Sequence, residues 1–501
     1  MSGWLGSTCE VRLGPPGHGG FCVARHEGRV VFVRHGLPGE LVRARVTEDR
    51  GGSFCRADTV EVLEASTDRV PATCPVSGPG GAGCCDFSFA TPTAQRALKA
   101  AVVAEQLRRL AGIDREVLVE PITGSGDATG GWRTRVRLAV DEQGRAGVHR
   151  YRSTEVIADL RCPQPISGAL DGVADRLWTP GGDLVIAVDG DGIRHIVELA
   201  PAPDAERGGR GGDRRGPGGS GPRSDSGSGE ARHPLGGNNR YGGRHGGRGR
   251  RGAERDGRDQ RTGGRRGSGG RGGDRRGSEW TAADSTRRDE RRNAAARRAA
   301  THAARDEWVF AGSGRAVEYV AGRRWEVGAT GFWQAHRSAA QCYSDLVAEW
   351  SSLSPGGRAW DLYSGAGVFA ARLAEQVGRT GAVLAVESAR PAVADAAAAL
   401  RDLSWLELRA QRVERWVVEH VDAAAADVVV LDPPRAGAGK EVVGAVTASG
   451  PTRIIHVGCD PAAFARDLGL YRAAGYQLAD LRAFDAFPAT HHVECLALLE
   501  R

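Results

Sequence analysis

The sequence predicts an α/β protein with a C-terminal Rossmann-like domain, an N-terminal OB-type β-barrel and a small mixed central domain that carries a long disordered insertion. Three observations support this fold class. Strands and helices alternate in the last third of the chain, short strands separated by glycines occupy its start, and an Arg- and Gly-rich stretch lies between the two. With 501 residues, 40% of them hydrophobic, the chain can form more than one core. We expect domains at residues 1–65, 66–203, 204–305 and 306–501, the last beginning with a return segment of the central domain.

Short alternating strands define the N-terminal domain. They are expected at residues 9–13, 21–24, 29–33, 40–46 and 60–63. Five short strands in this length are typical of an OB-type barrel, a fold that often binds single-stranded nucleic acid. Another small β-domain would also fit the pattern.

The central region predicts a helix over residues 93–110 and strands at 134–140 and 183–188. The insertion that follows, at 204–305, contains 26 arginines, no lysine and 13 acidic residues, a net charge of 26 − 13 = +13 against +6 for the whole chain. Its few large apolar residues predict disorder. Repeated Arg-Gly-Gly favours contact with RNA, and a tolerated surface-loop insertion explains it equally well.

The last third predicts a doubly wound parallel sheet. Its strands are expected at 359–363, 383–387, 406–410, 428–432, 453–458, 477–484 and 493–499. Helices are expected between the first six strands, and the last two strands adjoin directly.

A glycine-containing turn follows the first of these strands, in the sequence Asp-Leu-Tyr-Ser-Gly-Ala-Gly at 361–367. Gly365 and Gly367 allow the backbone to pass close to a ligand, and Glu387 ends the next strand, where an acid can accept hydrogen bonds from a ribose diol. Ala370 replaces the third glycine of a dinucleotide-binding motif. The pattern therefore favours an adenosine cofactor without pyrophosphate, such as S-adenosylmethionine; a plain turn is the alternative.

The sequence Asp-Pro-Pro-Arg begins at Asp432, directly after four apolar residues. It predicts a rigid loop at the carboxyl edge of the sheet, where ligands bind in open α/β folds. Related loops occur in enzymes that methylate amino groups, so this motif alone does not select the atom that is methylated.

Cys459 lies in a Gly-Cys-Asp-Pro turn that follows a strand and opens a helix. A helix N-terminus favours a thiolate, and a thiolate that adds to uracil C6 makes C5 nucleophilic enough to accept a methyl group. Glu494, on an otherwise apolar strand, is the candidate base for the C5 proton. A buried, inert cysteine and a solvated glutamate are the plainer interpretations.

These motifs together resemble the RNA 5-methyluridine methyltransferases, which combine an N-terminal TRAM barrel, a small central domain and a C-terminal methyltransferase domain. The resemblance covers nearly all of the chain except 204–305. It implies that Cys459 is the nucleophile, that Glu494 removes the proton, and that S-adenosylmethionine is bound by Gln334, Tyr363, Gly365, Gly367, Glu387 and Asp432. Gly458 stands where the family usually has Ser, and Val368 where it often has Asn.

The resemblance also concerns four cysteines, Cys74, Cys84, Cys85 and Cys162. Many family members hold a [4Fe-4S] cluster on three closely spaced cysteines and a distant fourth. Here Ala82 stands where relatives often have the second cysteine, and Cys84 adjoins Cys85. The resemblance implies either a cluster or a remnant that no longer binds metal.

The preferred hypothesis is thus an enzyme that methylates uridine C5 in ribosomal or transfer RNA. The alternatives are a non-catalytic RNA-binding protein on a methyltransferase scaffold and, more weakly, an amino-group methyltransferase that would not need Cys459. We expect a cytoplasmic monomer without membrane partners, since the start of the chain lacks a signal peptide pattern and no apolar run could span a bilayer.

Overall fold

The computed structural model describes residues 3–122, 130–202, 305–420 and 426–501. All of them belong to one compact unit, Met1–Pro203 with Ala303–Arg501. The prediction of disorder for 204–305 falls, apart from Arg305, outside the described residues.

The N-terminal sheet has six strands in the described part of the chain, one more than predicted. They are β1 Thr8–Arg12, β2 Pro16–Gly17, β3 Phe21–His26, β4 Arg29–Arg34, β5 Leu41–Asp49 and β6 Phe54–Glu64. The order is β1-β5-β6-β4-β3-β2, and β6 begins earlier than the predicted 60–63. Alternate residues such as Val42, Ala44 and Val46 on β5 are buried, so one face of the sheet forms the core.

The central region contains α1 Pro92–Gln106, continued by a π-helical turn at Leu107–Ala111, which confirms the predicted helix. Its strands are β7 Val119–Pro121, β8 Arg135–Val140, β9 Ala146–His149, β10 Val156–Ile157, β11 Asp183–Val188, β12 Arg194–Leu199 and β13 Glu307–Ala311. Strands β8 to β13 form one sheet in the order β10-β9-β8-β11-β12-β13. Since β12 and β13 pair antiparallel, the insertion connects two neighbouring strands of this sheet.

A hairpin, β14 Arg315–Val320 and β15 Arg323–Gly328, leads into the C-terminal domain. The strands there are β16 Arg358–Leu362, β17 Ala382–Glu387, β18 Leu406–Ala410, β19 Val428–Leu431, β20 Arg453–Gly458, β21 Gln477–Asp485 and β22 Glu494–Glu500. The helices are α2 Ala339–Ser351, α3 Val368–Val377, α4 Arg390–Ala399, α5 Val413–Glu419, α6 Gly439–Ser449 and α7 Pro461–Ala473, with a 3₁₀ turn at Gly378–Thr380.

The C-terminal sheet is ordered β18-β17-β16-β19-β20-β22-β21-β7. Strands β16 to β20 are parallel, as predicted. The last two strands adjoin directly, as predicted, and form an antiparallel pair in which β22 inserts between β20 and β21. Strand β7 of the central region then pairs parallel with β21, so the two domains share a sheet.

None of the helices in the described part of the chain has both the length and the apolar character needed to cross a bilayer.

Candidate active site

The turn after β16 is held in a left-handed conformation and tied to the end of β17. Tyr363, Gly365 and Gly367 have φ values of 64°, 53° and 79°. The Tyr363 and Gly365 backbone N–H groups donate to Val386 O at 2.9 Å and to Glu387 Oε2 at 3.1 Å. The predicted cofactor residues Tyr363, Gly365, Gly367 and Glu387 are therefore neighbours at the carboxyl edge of the sheet.

The two glycines of this turn differ in their surroundings. A Cβ built on Gly367 would lie 2.8 Å from Leu400 Cδ1, whereas one built on Gly365 meets no atom of the described residues within 4 Å. Gly367 is thus required for packing of α3 against α4. Gly365 faces open space, as a ligand-facing position should.

Asp361, inside β16, was not predicted as a site residue. Its Oδ2 accepts a hydrogen bond from Ala370 N at 2.8 Å, while its Oδ1 has no hydrogen-bond partner among the described residues. Burial, followed by the charges of Asp432 and Glu387, raises the pKa of this carboxyl to about 8. A carboxylate within an apolar strand was the sequence signal for this residue.

The segment that carries Gln334 is linked to the same turn through Trp325 of β15. Trp325 Nε1 donates to Ala366 O at 3.0 Å, and the Trp325 and Trp333 rings are 6.1 Å apart. Arg135 donates to Gly331 O at 3.1 Å, which ties this segment to the central region.

Phe332, two residues before Gln334, was not singled out in the sequence. Its side chain is large and apolar, yet it is 75% exposed. Among the Phe, Trp and Tyr side chains of the described residues it is the most exposed.

Asp432 directly follows β19, and its N–H donates to Leu362 O at 3.2 Å, beside the glycine turn. Burial, and then the charge of Glu387, raises the pKa of Asp432 to about 7. The structure therefore brings the predicted loop acid and the predicted ribose acid into one electrostatic environment.

Cys459 directly follows β20. Gly458 pairs with Cys495 in the antiparallel register, so the next residues in the two directions, Cys459 and Glu494, lie side by side. Asp460 begins α7 and accepts hydrogen bonds from Ala462 N at 3.1 Å and Ala463 N at 2.9 Å. The nucleophile turn is thereby held by a strand on one side and a capped helix on the other.

The pKa of Cys459 corrects one expectation. Burial raises it to about 12, with further increases from Glu494 and Asp432, and Arg435 opposes them. A helix N-terminus was expected to favour the thiolate, but here desolvation and two carboxylates outweigh it. In the protein alone the thiol is the stable form.

Glu494 is buried as the first residue of β22. Burial, and then Asp432, holds its pKa well above the ordinary value, while Arg435 lowers it. Arg435 itself is exposed, and its Nη2 lies 3.2 Å from His492 Nε2. It follows two prolines in the predicted loop, and sequence reasoning did not assign it a role.

The four central cysteines are also neighbours. Cys85 is within hydrogen-bonding distance of Cys74 and Cys84, and Gln164 Nε2 donates to Cys85 Sγ at 3.2 Å. Burial, together with negative charge on Cys84 and Cys74, raises the pKa of Cys162 to about 11. Even so, within the described ranges no group of three or more His, Cys, Asp or Glu side chains is arranged to hold a metal ion.

Two family models match this chain. Residues 352–501 match the family described as tRNA (Uracil-5-)-methyltransferase, and residues 5–57 match the TRAM domain. The first match contains the glycine turn, the Asp432 loop, Cys459 and Glu494.

Relatives extend the likeness to the whole chain. An RNA methyltransferase of Streptomyces avermitilis is 39% identical over 99% of this chain and 99% of its own length. The 23S rRNA (uracil(1939)-C(5))-methyltransferase of Alkalilimnicola ehrlichii is 30% identical over 98% of this chain and 96% of its own.

Among solved structures, the Pyrococcus abyssi tRNA (uracil-54, C5)-methyltransferase in complex with S-adenosyl-L-homocysteine shares the fold. Its TM-score is 0.60 at 16% identity, and the match covers 98% of this chain and 100% of that one.

Proposed function

Because the chain belongs to the S-adenosylmethionine-dependent RNA uracil-C5 methyltransferase family, we propose that it methylates a uridine of ribosomal or transfer RNA through a covalent bond between Cys459 Sγ and uracil C6. The observation that carries the proposal is the pairing of β20 with β22, which sets Cys459 beside Glu494. A nucleophile and a base must reach the same pyrimidine, and adjacent strand ends are a rigid way to achieve this.

The residues around the glycine turn fit S-adenosylmethionine. Gly365 faces open space, and Asp361 Oδ1 is buried without a hydrogen-bond partner among the described residues. Glu387 ends β17 and accepts hydrogen bonds from Gly365 N, Ser388 Oγ and Ala389 N, so a ribose diol would bind by displacing the Ser388 hydroxyl. Gly365, Asp361 and Glu387 would hold the cofactor together with Gln334, Tyr363, Gly367 and Asp432. When bound, it supplies a methyl group on a positively charged sulfur.

The protein's own chemistry is a two-stage exchange at the uracil ring. Cys459 releases its proton to water, its sulfur bonds to C6, and the electron pair of the C5–C6 double bond moves to C5, where it forms the bond to the methyl group that the cofactor would supply. After C5 carries the methyl group, Glu494 takes the C5 proton, the C5–C6 double bond forms again, and the bond from C6 to sulfur breaks. Cys459 leaves as the thiolate and is ready for reprotonation.

The raised pKa values of Glu494 and Cys459 affect proton removal from C5 and addition of the thiol to C6 differently. A raised pKa makes Glu494 a stronger base than an ordinary carboxylate. The thiol of Cys459 must instead be activated when substrates bind, and Arg435 is the described positive group that already acts in that direction. Substrate-dependent activation also limits unwanted reactions of the thiol.

The TRAM barrel and Phe332 are the candidate RNA-binding parts of the chain. A base inside a helix cannot reach Cys459, so it must leave its stack to react. An aromatic ring 75% exposed beside the Gln334 segment offers a surface on which a displaced base can stack. We propose this role for Phe332 and an RNA-anchoring role for the TRAM barrel.

The test uses RNA in which the target uridine is replaced by 5-fluorouridine, together with S-adenosylmethionine. Glu494 cannot remove fluorine as it removes a proton, so the adduct should persist in SDS. Cys459→Ala should abolish the adduct, while Cys342→Ala, which also removes a half-buried thiol, should retain it. Methylation without any adduct would favour an amino-group methyltransferase, and RNA binding with neither would favour a non-catalytic binder.

We further propose that Cys74, Cys84, Cys85 and Cys162 hold a [4Fe-4S] cluster. The support is the donor set: four neighbouring thiols, the number that such a cluster requires. Binding would require the thiols now hydrogen-bonded to Cys85 to turn towards iron. Anaerobically purified protein should contain about four iron atoms per chain. Loss of this iron in Cys162→Ser is expected, and iron-free wild-type protein would contradict the cluster.

A further inference from the structure

Residues 485–494 connect β21 to β22 and end at Glu494, and helix α1 of the central region holds this segment from outside the C-terminal domain. Lys99 Nζ lies 2.5 Å from Asp485 Oδ1 and 3.0 Å from Phe487 O. One helical turn earlier, Gln95 Oε1 accepts a hydrogen bond from Ala489 N at 2.7 Å. These three contacts thus hold alternate residues of the segment, Asp485, Phe487 and Ala489.

These contacts are buried, so water cannot replace them. Gln95 and Lys99 are each 1% exposed, and Asp485 is 4% exposed. Lys99 is one of two lysines in a chain that otherwise uses arginine, and here the compact ammonium group meets a carboxylate and a backbone carbonyl at once. A buried charge pair is expensive to desolvate and depends strongly on its geometry.

The segment also contains a strained residue. Ala489 has φ 64°, a left-handed conformation that is unfavourable for a non-glycine residue. Both of its backbone groups are held by the central region, the N–H by Gln95 and the carbonyl by Phe87 N at 2.9 Å. Strain of this kind persists only where neighbouring contacts enforce it.

A further contact lies nearer the site. Asp86 Oδ2 is 2.5 Å from His491 Nδ1, and His492 contacts Arg435. From Asp485 to His491 the segment is therefore anchored to the central region at every second residue.

We propose that Gln95 and Lys99 are positioning residues for proton removal: by fixing residues 485–489 they set where the Glu494 carboxyl lies relative to uracil C5. This inference rests on the proposed function. Cys459 lies between β20 and the Asp460 cap of α7. The side-chain hydrogen bonds of Gln95 and Lys99 in the described part of the chain go to Ala90, Ala489, Asp485 and Phe487, and not to β20 or to the cap. Loosening the segment should therefore slow release of the product more than formation of the adduct.

The experiment separates these two stages in single turnovers of full-length enzyme with unmodified RNA. Samples quenched in SDS report the adduct, and nucleoside analysis reports released 5-methyluridine. The test variants are Gln95→Leu and the paired Lys99→Met with Asp485→Leu, which removes the buried charges together so that neither is stranded. Tyr476→Phe is the matched control: it removes one buried hydrogen bond, from Tyr476 OH to Pro451 O at 2.7 Å, at the opposite end of β20.

Release should slow about 10- to 100-fold in both test variants, the cost expected when a catalytic group is misplaced by about 1 Å. Adduct formation should stay within about threefold of wild type, so the adduct accumulates. Tyr476→Phe should change neither stage. Equal slowing of both stages, or release as fast as in Tyr476→Phe, would overturn the inference.

Glu494→Gln distinguishes failure of the positioning inference from failure of the proposed function. If it accumulates the adduct while Gln95→Leu and the paired variant do not, the positioning role fails and the proposed function stands. If Glu494→Gln itself releases product normally, the role of Glu494 as the base is wrong, and the positioning inference is overturned with it.

Discussion

Gly365→Ala and Gly367→Ala should have different consequences, although the two glycines are two residues apart. Gly367→Ala should lower the stability of the protein, and Gly365→Ala should weaken cofactor binding. At Gly367 the left-handed φ of 79° costs about 1–2 kcal/mol, and the new Cβ lies 2.8 Å from Leu400 Cδ1. Leu400 can shift the end of its side chain, so overpacking adds only about 1 kcal/mol. The free energy of unfolding should therefore fall by about 2–3 kcal/mol.

Gly365→Ala should instead affect the ligand. Its φ of 53° costs about 1 kcal/mol, but the Cβ meets no atom of the described residues within 4 Å and projects into the space assigned to the cofactor. Affinity for S-adenosylmethionine should fall at least about tenfold, a loss of about 1.4 kcal/mol or more. Urea unfolding followed by tryptophan fluorescence and titration calorimetry measure the two effects. Wild-type affinity in Gly365→Ala, or a larger stability loss there than in Gly367→Ala, would refute this assignment of the turn.

Three other substitutions test separate parts of the site. Arg435→Gln removes the positive charge that lowers the pKa of Cys459, so adduct formation should slow at neutral pH and its rise with pH should move to higher pH; an unchanged pH–rate profile would count against it. Phe332→Ala should raise KM for RNA about tenfold at unchanged cofactor affinity, and an unaltered KM would exclude stacking on this ring. Gly458→Ser places a Cβ 2.7 Å from Phe464 Cδ2 in the buried core, so unfolding free energy should fall by about 1–3 kcal/mol, whereas a neutral result would mean that Phe464 yields readily.

The Gly458 contact also explains why this chain departs from the serine usual in the family. The ring of Phe464 occupies the space that a side chain at 458 would need. Glycine at position 458 therefore fits the packing of the core beside Cys459. The absence of serine at this position gives no independent support to the hypothesis of a non-catalytic RNA-binding protein.

Local patterns in the sequence predicted local structure well. Apolar runs identified the strands β16 to β20, and Gly365 with Gly367 marked the turn, because backbone requirements there are set within a few residues. The order of the last strands could not be predicted, because no sequence pattern near β22 indicates that this strand inserts between β20 and β21.

The long-range contacts that support the site could not be predicted, for a related reason. Lys99 and Asp485 are 386 positions apart, and Arg135 and Gly331 are 196 apart. Neither helix periodicity nor strand alternation reveals which distant residue a buried polar group will meet. The raised pKa of Cys459 likewise depends on burial and on Glu494 and Asp432, which only the folded chain brings close.

Peptide mapping of the complex trapped with 5-fluorouridine RNA is the most direct test of catalysis by covalent addition. Mass spectrometry should find the modified nucleotide, carrying the transferred methyl group, attached to the peptide that contains Cys459. Attachment to a different cysteine, or 5-methyluridine formed from ordinary RNA by the Cys459→Ala enzyme, would contradict it.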